Sequence, residues 1–145
     1  MSQRVEIKFK LTHPDAKLPF SKHESDSGRD IVSIEDKYIP AGGSAVIDTG
    51  LEVAFIDPEY WFKIEARSGL GFKHGVYPHP GIIDTDYRGN LGIKIYNTGT
   101  EPYTINKGDR IAQLVVYPRI TPVISEAIKT SETERGAGGF GSTGK

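Results

Sequence analysis

The chain has 145 residues, 37% of them hydrophobic, and a formal net charge of -1 with its acids and bases interspersed. That composition supports one domain with a sizeable core and offers no broad basic field to a polymeric nucleic acid or an anionic membrane. There is no cysteine, which removes disulfides, thiolate metal sites and cysteine nucleophiles, and His13, His23, His74 and His79 show no metal-ligand spacing. No apolar run approaches the roughly 20 residues of a membrane span, and the first residues form no signal segment, so a soluble cytoplasmic protein, in the host cytoplasm if viral, is expected.

In chain order, Val5 to Leu11 alternates apolar and polar residues, the pattern of a half-buried strand. Pro14 to Lys22 reads as loop. Ser25 to Val32 runs from small and polar to apolar, with Asp30 at the mouth of a strand. Tyr38-Ile39-Pro40 ends a strand before the turn Ala41-Gly42-Gly43, and Ala45 to Phe55 is a strand interrupted by a bulge or bend at Asp48-Thr49-Gly50. After the turn Asp57-Pro58, Tyr60 to Ala66 is rich in β-formers and leads into Arg67-Ser68-Gly69, read as a surface turn able to cradle an anion. Gly81 to Asn90 is a glycine-hinged turn that gathers Asp84, Asp86, Tyr87 and Arg88. Leu91, Ile93 and Ile95 then alternate along a strand with one face on the core. Tyr103-Thr104-Ile105 and the apolar run Ile111 to Tyr117 complete the series, the latter interrupted only by the polar Gln113. Gly108-Asp109-Arg110 reads as a turn with a local Asp109–Arg110 ion pair.

No stretch sustains the periodicity of an amphipathic helix, so the body is expected to be an all-β barrel or double-sheet sandwich of jelly-roll type. Residues 1–131 would form it. Residues 132–145 differ, because five of the nine residues from Gly136 to Gly144 are glycine, a composition with high conformational entropy and little to bury. This tail matches two glycine-rich phosphate-loop patterns by letter, but both patterns require a preceding strand and a following helix. Its physical content is retained: glycines let backbone N–H groups approach phosphate oxygens, Ser142 and Thr143 add hydroxyls, Arg135 offers a bidentate grip and Phe140 a stacking face. Asp84 and Asp86 are the candidate acid/base groups. Acidic and anion-binding turns together, on a scaffold without cysteine or a histidine cluster, point to phosphoester or phosphoanhydride chemistry with Mg2+.

Five segments in order resemble the five motifs of the homotrimeric dUTPase (deoxyuridine 5'-triphosphate nucleotidohydrolase) family. They are Ser27-Gly28-Arg29-Asp30-Ile31, Ala66-Arg67-Ser68-Gly69-Leu70-Gly71, Gly81 through Asn90, Gly108 through Leu114, and Arg135 through Gly144. The resemblance implies a distorted jelly-roll-like barrel that assembles as a homotrimer with shared sites. It implies Mg2+-dependent hydrolysis of dUTP to dUMP and pyrophosphate, which lowers dUTP and supplies dUMP for dTTP synthesis. Asp84 would be the general base for water attacking the α-phosphorus, and Tyr87 would lay its ring on the deoxyribose and refuse a 2′-hydroxyl. The backbone from Val76 to Ile83, including Pro78, Gly81 and Ile83, would pair with uracil. Asp30 would hold, through water, a Mg2+ chelated mainly by the phosphates, while Arg67, Ser68, Gly69 and Gln113 bind phosphate oxygens. The arm would close over bound nucleotide, with Phe140 stacking on uracil and Arg135, Gly141, Ser142 and Thr143 completing the grip.

Three departures accompany the likeness. Pro78 stands where some members carry an asparagine, so base reading would rest on backbone groups. Arg29 replaces a residue commonly apolar or aromatic, and Asp86 is an acid the family does not require, given a structural role here. A dCTP deaminase of the same fold would need a proton shuttle beside C4 of cytosine, typically a glutamate, where Asp84 and Tyr87 stand, and zinc-type deamination lacks cysteine ligands. A non-catalytic nucleotide-sensing or protein-binding module would be marked by loss of the base, the ring or the arm, and all three are present.

Overall fold

The structure, a computed structural model, describes residues 3–141. Ten strands and one short helix follow in the order β1 (Ile7–Leu11), β2 (Gly28–Val32), β3 (Lys37–Ile39), β4 (Ser44–Ile56), β5 (Tyr60–Glu65), α1 (Ser68–His74), β6 (Val76–Pro78), β7 (Gly81–Ile83), β8 (Asn90–Asn97), β9 (Tyr103–Ile105) and β10 (Arg110–Pro118). They form two four-stranded sheets, ordered β1-β4-β8-β6 and β2-β10-β5-β7, and a two-stranded ribbon β3-β9. All pairings are antiparallel. The expected all-β, jelly-roll-like architecture is what the chain adopts.

The inward faces of the two sheets supply the core. Leu91, Ile93 and Ile95 of β8 are 3%, 2% and 0% exposed, as their alternation requires, and they pack in one cluster with Ile47, Phe62, Ile64, Ile111 and Leu114. The interruption expected at residues 48–50 is a register shift between β4 and β8 that falls between Asp48 and Glu52. Asn97, at the end of β8, is buried yet satisfied: its amide donates to the carbonyls of Ile39 at 3.0 Å and Glu101 at 2.9 Å and accepts from Gly99 N–H at 3.0 Å. Burying an amide costs little only when it is paired in this way.

Two elements differ from the sequence reading. Residues 68–74 are a helix rather than a turn. The helix is seven residues long, contains no buried residue and stops at Gly75, whose φ is 68°, so it lacks the apolar periodicity that would mark it. Leu70 alone packs, partly buried, against the core cluster. The glycine-hinged turn also begins later than expected, since Gly81 to Ile83 are strand β7 and the turn proper lies between Ile83 and Asn90.

Candidate active site

Three of the candidate residues come together at one end of the β2-β10-β5 sheet. Asp30 and Gln113 are cross-strand partners, and Arg67, just past β5, donates Nε–H to Asp30 Oδ1 at 3.0 Å. Gln113, the polar residue in the apolar run, donates Nε2–H to the carbonyl of Ala66 at 2.8 Å. Its side chain lies over Gly28, where a Cβ would fall on Oε1 and 2.7 Å from Cδ. The glycine at 28 thus leaves room for Gln113, whose side chain would have to shift if a Cβ were added. Arg29 acquires a role as well: its guanidinium donates to the carbonyls of Asp26 (2.7 Å), Gly28 (3.2 Å) and Glu24 (3.4 Å), bracing the loop that delivers Asp30.

The local Asp109–Arg110 ion pair expected from sequence does not form. Neighbouring residues at a strand start project to opposite faces, and Arg110 reaches Asp30 Oδ2 at 3.8 Å while the Asp109 carboxylate accepts from Asn106 N–H at 2.8 Å. Arg110 is thus a site residue that local spacing did not reveal. It lines a cleft of about 470 Å3 with Arg67, Gly69, Lys73, His74 and Tyr103. Burial pushes the Tyr103 phenol up from its ordinary value of 10.0, with the charge of Asp109 adding to it, so this ring stays neutral at the cleft wall. Ser68 and Gly69 are exposed at the start of α1 beside the cleft.

Asp84 and Tyr87 occupy a second place. The turn that carries them is braced on both sides: Thr85 Oγ1 donates to the carbonyl of Asp57 at 3.3 Å, Arg88 to those of Thr85 at 2.9 Å and Tyr87 at 2.8 Å, and Tyr87 N–H to that of Asp84 at 3.0 Å. Tyr87 Oη donates to the carbonyl of Asn90 at 2.7 Å. The ring lies over Gly89, where a Cβ would meet Oη and would stand 2.5 Å from Cζ. Asp84 is exposed, and among the described residues its carboxylate enters no hydrogen bond or ion pair. Tyr87, Gly81, Ile83 and His79 line a smaller cleft of about 210 Å3.

Within the segment from Val76 to Ile83, β6 and β7 do not pair with each other. β6 pairs with β8 in one sheet and β7 with β5 in the other, and each is the edge strand of its sheet. Their unpaired edges leave backbone donors and acceptors available to a third partner. Pro78 is buried, and the His79 ring is 2.9 Å from Tyr96 Oη.

The two clusters do not converge within one chain. Ile83 pairs with Phe62 on β5, whereas Arg67 lies beyond Glu65 at the other end of that strand. Asp84 continues past Ile83 toward Trp61, so the offset along the strand is about six residues, or roughly 20 Å at 3.3 Å per residue. The arm forms a third group: Arg135 donates Nε–H to the carbonyl of Gly138 at 2.6 Å, Phe140 is fully exposed and Gly141 is exposed. Ser142 and Thr143 lie outside the described residues.

A family model described as dUTPase matches residues 14–144. The chain is similar to curated relatives named deoxyuridine 5'-triphosphate nucleotidohydrolase. That of Clostridium tetani is 45% identical over 142 residues, covering 96% of this chain and 97% of the relative. That of Paramecium bursaria Chlorella virus 1 is 43% identical over 129 residues, covering 89% and 91%. Among solved structures, the dUTPase of Staphylococcus bacteriophage 80alpha with dUPNHPP superposes with a TM-score of 0.86 at 32% identity, covering 97% of this chain and 99% of that one. A dUTPase from phage phi11 of S. aureus, described with a structural Mg(II) ion, superposes with a TM-score of 0.78 at 29% identity, covering 88% and 99%.

Proposed function

The chain belongs to the dUTPase family and is a dUTP diphosphatase, and on that premise we propose that it cleaves dUTP between the α and β phosphates with Mg2+, releasing dUMP and pyrophosphate. Asp84 takes the proton of the attacking water. An exposed carboxylate with no partner among the described residues, on a turn held by hydrogen bonds from Thr85, Arg88 and Tyr87, suits a base that must meet a water in fixed geometry. The Tyr87 ring, pinned by its own hydroxyl, packs on the deoxyribose and leaves no room for a 2′-hydroxyl. Uracil enters between the free edges of β6 and β7 and hydrogen-bonds to backbone groups of residues 76–83, which suits a segment with Pro78 in place of a polar reader.

Arg67, Ser68, Gly69 and Gln113 hold the phosphate oxygens. Among the described residues no group of three or more His, Asp or Glu side chains could hold a metal, so the chain fits a Mg2+ that arrives on the triphosphate, with Asp30 as a single carboxylate reaching it through water. When bound, that ion neutralises charge on the phosphate oxygens. Residues 132–145 act as an arm whose Arg135, Phe140, Gly141, Ser142 and Thr143 close over the nucleotide and exclude bulk water.

Because the Asp84 and Arg67 clusters lie at opposite ends of β5, we place each site between copies of a homotrimer, one chain supplying base and ring and another the phosphate grip. The segment after β10 supports this, since Ile120, Val123, Ile124 and Ile128 are 81% to 100% exposed, apolar surface of the kind a neighbouring copy covers. Among the described residues no helix is long and apolar enough to cross a membrane, and we place the enzyme in the cytoplasm, lowering dUTP and supplying dUMP for dTTP synthesis.

The single observation that carries the mechanism is the braced, unpartnered Asp84 carboxylate beside the Tyr87 cleft. The test is product analysis on a dUTP and dCTP panel with wild type and Asp84→Asn. Wild type is expected to release pyrophosphate without ammonia from dUTP. Asp84→Asn is expected to keep dUTP binding and to lose at least a hundredfold in turnover, the scale of a general base. Unchanged turnover in the variant rejects Asp84 as the base.

A further inference from the structure

The residues assigned to the phosphates and to the metal are bonded to one another. Asp30 offers Oδ1 to Arg67 at 3.0 Å and Oδ2 to Arg110 at 3.8 Å, so one carboxylate sits between two guanidinium groups, and both arginines line the 470 Å3 cleft. Its side chain is 18% exposed, against 27% for Arg67 and 51% for Arg110. The carboxylate occupies the position an incoming phosphate oxygen would take toward both arginines.

The partners differ in how far they can move. The Asp30 backbone is fixed by a reciprocal pair of bonds to Phe20, Asp30 N–H to the Phe20 carbonyl at 2.6 Å and Phe20 N–H to the Asp30 carbonyl at 3.2 Å. Its register with Gln113 and the Arg29 clasp on the preceding loop hold it further. The arginines are long side chains with several rotatable bonds, able to swing once their pairing to Asp30 is released. Arg67 is the residue before α1 and makes no side-chain cap bond to it. Asp109, also at the cleft, is engaged with Asn106 N–H.

A phosphate entering the cleft would draw Arg67 and Arg110 away and leave a partly buried, unpaired carboxylate beside anionic oxygens, which is costly. A divalent cation carried by the phosphates removes that cost by replacing the arginines at Asp30. We propose that Asp30 is an internal counter-ion that keeps Arg67 and Arg110 paired until a magnesium-bearing triphosphate exchanges with it, and that Arg110 is a phosphate-binding residue. Part of the Mg2+ requirement is then a property of this exchange. The inference rests on the reading that Arg67 binds phosphate.

Inorganic tripolyphosphate, titrated calorimetrically into the full chain with excess EDTA or with excess Mg2+, reads the exchange without any chemistry. Asp30→Asn is expected to bind the metal-free anion about tenfold more tightly than wild type, the scale of one displaced charge pair, and to lose most of the affinity gain on adding Mg2+. Arg67→Gln in the same background is expected to abolish the tightening. Asp30→Ser provides the same readout if the asparagine variant does not fold, as judged by its thermal melt. A folded Asp30 variant that binds metal-free tripolyphosphate no more tightly than wild type overturns the proposal. If wild type still hydrolyses dUTP in that case, only the exchange has failed, whereas absence of dUTP hydrolysis by wild type removes the functional reading itself.

Discussion

Replacing Gly89 by alanine tests whether the position of the Tyr87 ring, rather than its presence, sets activity. A Cβ at 89 would stand 2.5 Å from Tyr87 Cζ and 3.0 Å from Cε1. Restoring an ordinary contact of 3.4 Å moves the ring by about 1 Å, and because the obstacle is the end of a side chain the ring yields rather than the backbone. The hydroxyl then loses its bond to the Asn90 carbonyl, a net cost of about 1 kcal/mol for an exposed bond. That corresponds to a fall in Tm of about 3 °C for a domain of this size. The effect on catalysis is larger, because a misplacement of about 1 Å in a positioning group costs on the order of a hundredfold in rate. Steady-state assays are expected to show kcat/KM for dUTP reduced about a hundredfold and the preference for dUTP over UTP narrowed, with the melt lowered by only that small amount. Tyr87→Phe, which keeps the ring over Gly89 and removes only the hydroxyl bond, is expected to lie between the two. Wild-type kcat/KM and discrimination in Gly89→Ala would refute the claim that a cradled ring reads the sugar.

Deleting residues 135–145 is expected to leave the oligomeric state on a sizing column unchanged and to lower turnover at least tenfold, because the proposed base and the Arg67 cluster remain while the arm's share of the grip and its exclusion of water are lost. Asn97→Ala removes three hydrogen bonds and takes the Asn97 partner from two carbonyls and one N–H. It is expected to destabilise the protein by about 3 kcal/mol in urea unfolding, with little change in KM for dUTP in the folded fraction.

The β8 strand was legible because its period-2 alternation and its burial have one cause, a single face on the core. The bulge in β4 was legible from the polar Asp48-Thr49-Gly50 that breaks a β-rich run. Helix α1 was not, because seven residues with two glycines and no buried face carry no periodic signal. Its place depends on contacts made elsewhere, including those of Leu70. The Arg110–Asp30 pairing was invisible for a related reason: it joins β10 to β2 across a sheet, whereas the sequence shows Asp109 next door. That β6 and β7 enter different sheets was not legible either, because only His79-Pro80 separates them and nothing local to Val76–Ile83 names their partners. Most residues proposed for the site were drawn from likeness to a family rather than from spacing, since Asp84, Arg67 and Gln113 taken singly resemble an ordinary turn acid, a surface cation and an isolated polar residue.

The site divides its parts by what must stay still. Asp84 and Tyr87 are held through Thr85, Arg88 and Asn90, and Asp30 through Phe20 and Arg29, so the groups proposed as base, sugar wall and carboxylate toward the metal are braced before substrate arrives. Preorganisation of this kind lowers the barrier because no reorganisation is needed during reaction. The groups proposed to grip phosphate, Arg67 and Arg110, are long side chains that can leave their present partner, and among the described residues the arm has its own turn at Arg135 to Gly138 rather than a strand pairing. Flexible groups pay ordering entropy when they bind, so their ordering is best coupled to the charged triphosphate, the ligand feature with the most binding energy to offset it. A nucleotide lacking that charge would meet the rigid half of the site and leave the flexible half open, which places discrimination between substrate and product in the mobile groups and discrimination among bases and sugars in the fixed ones.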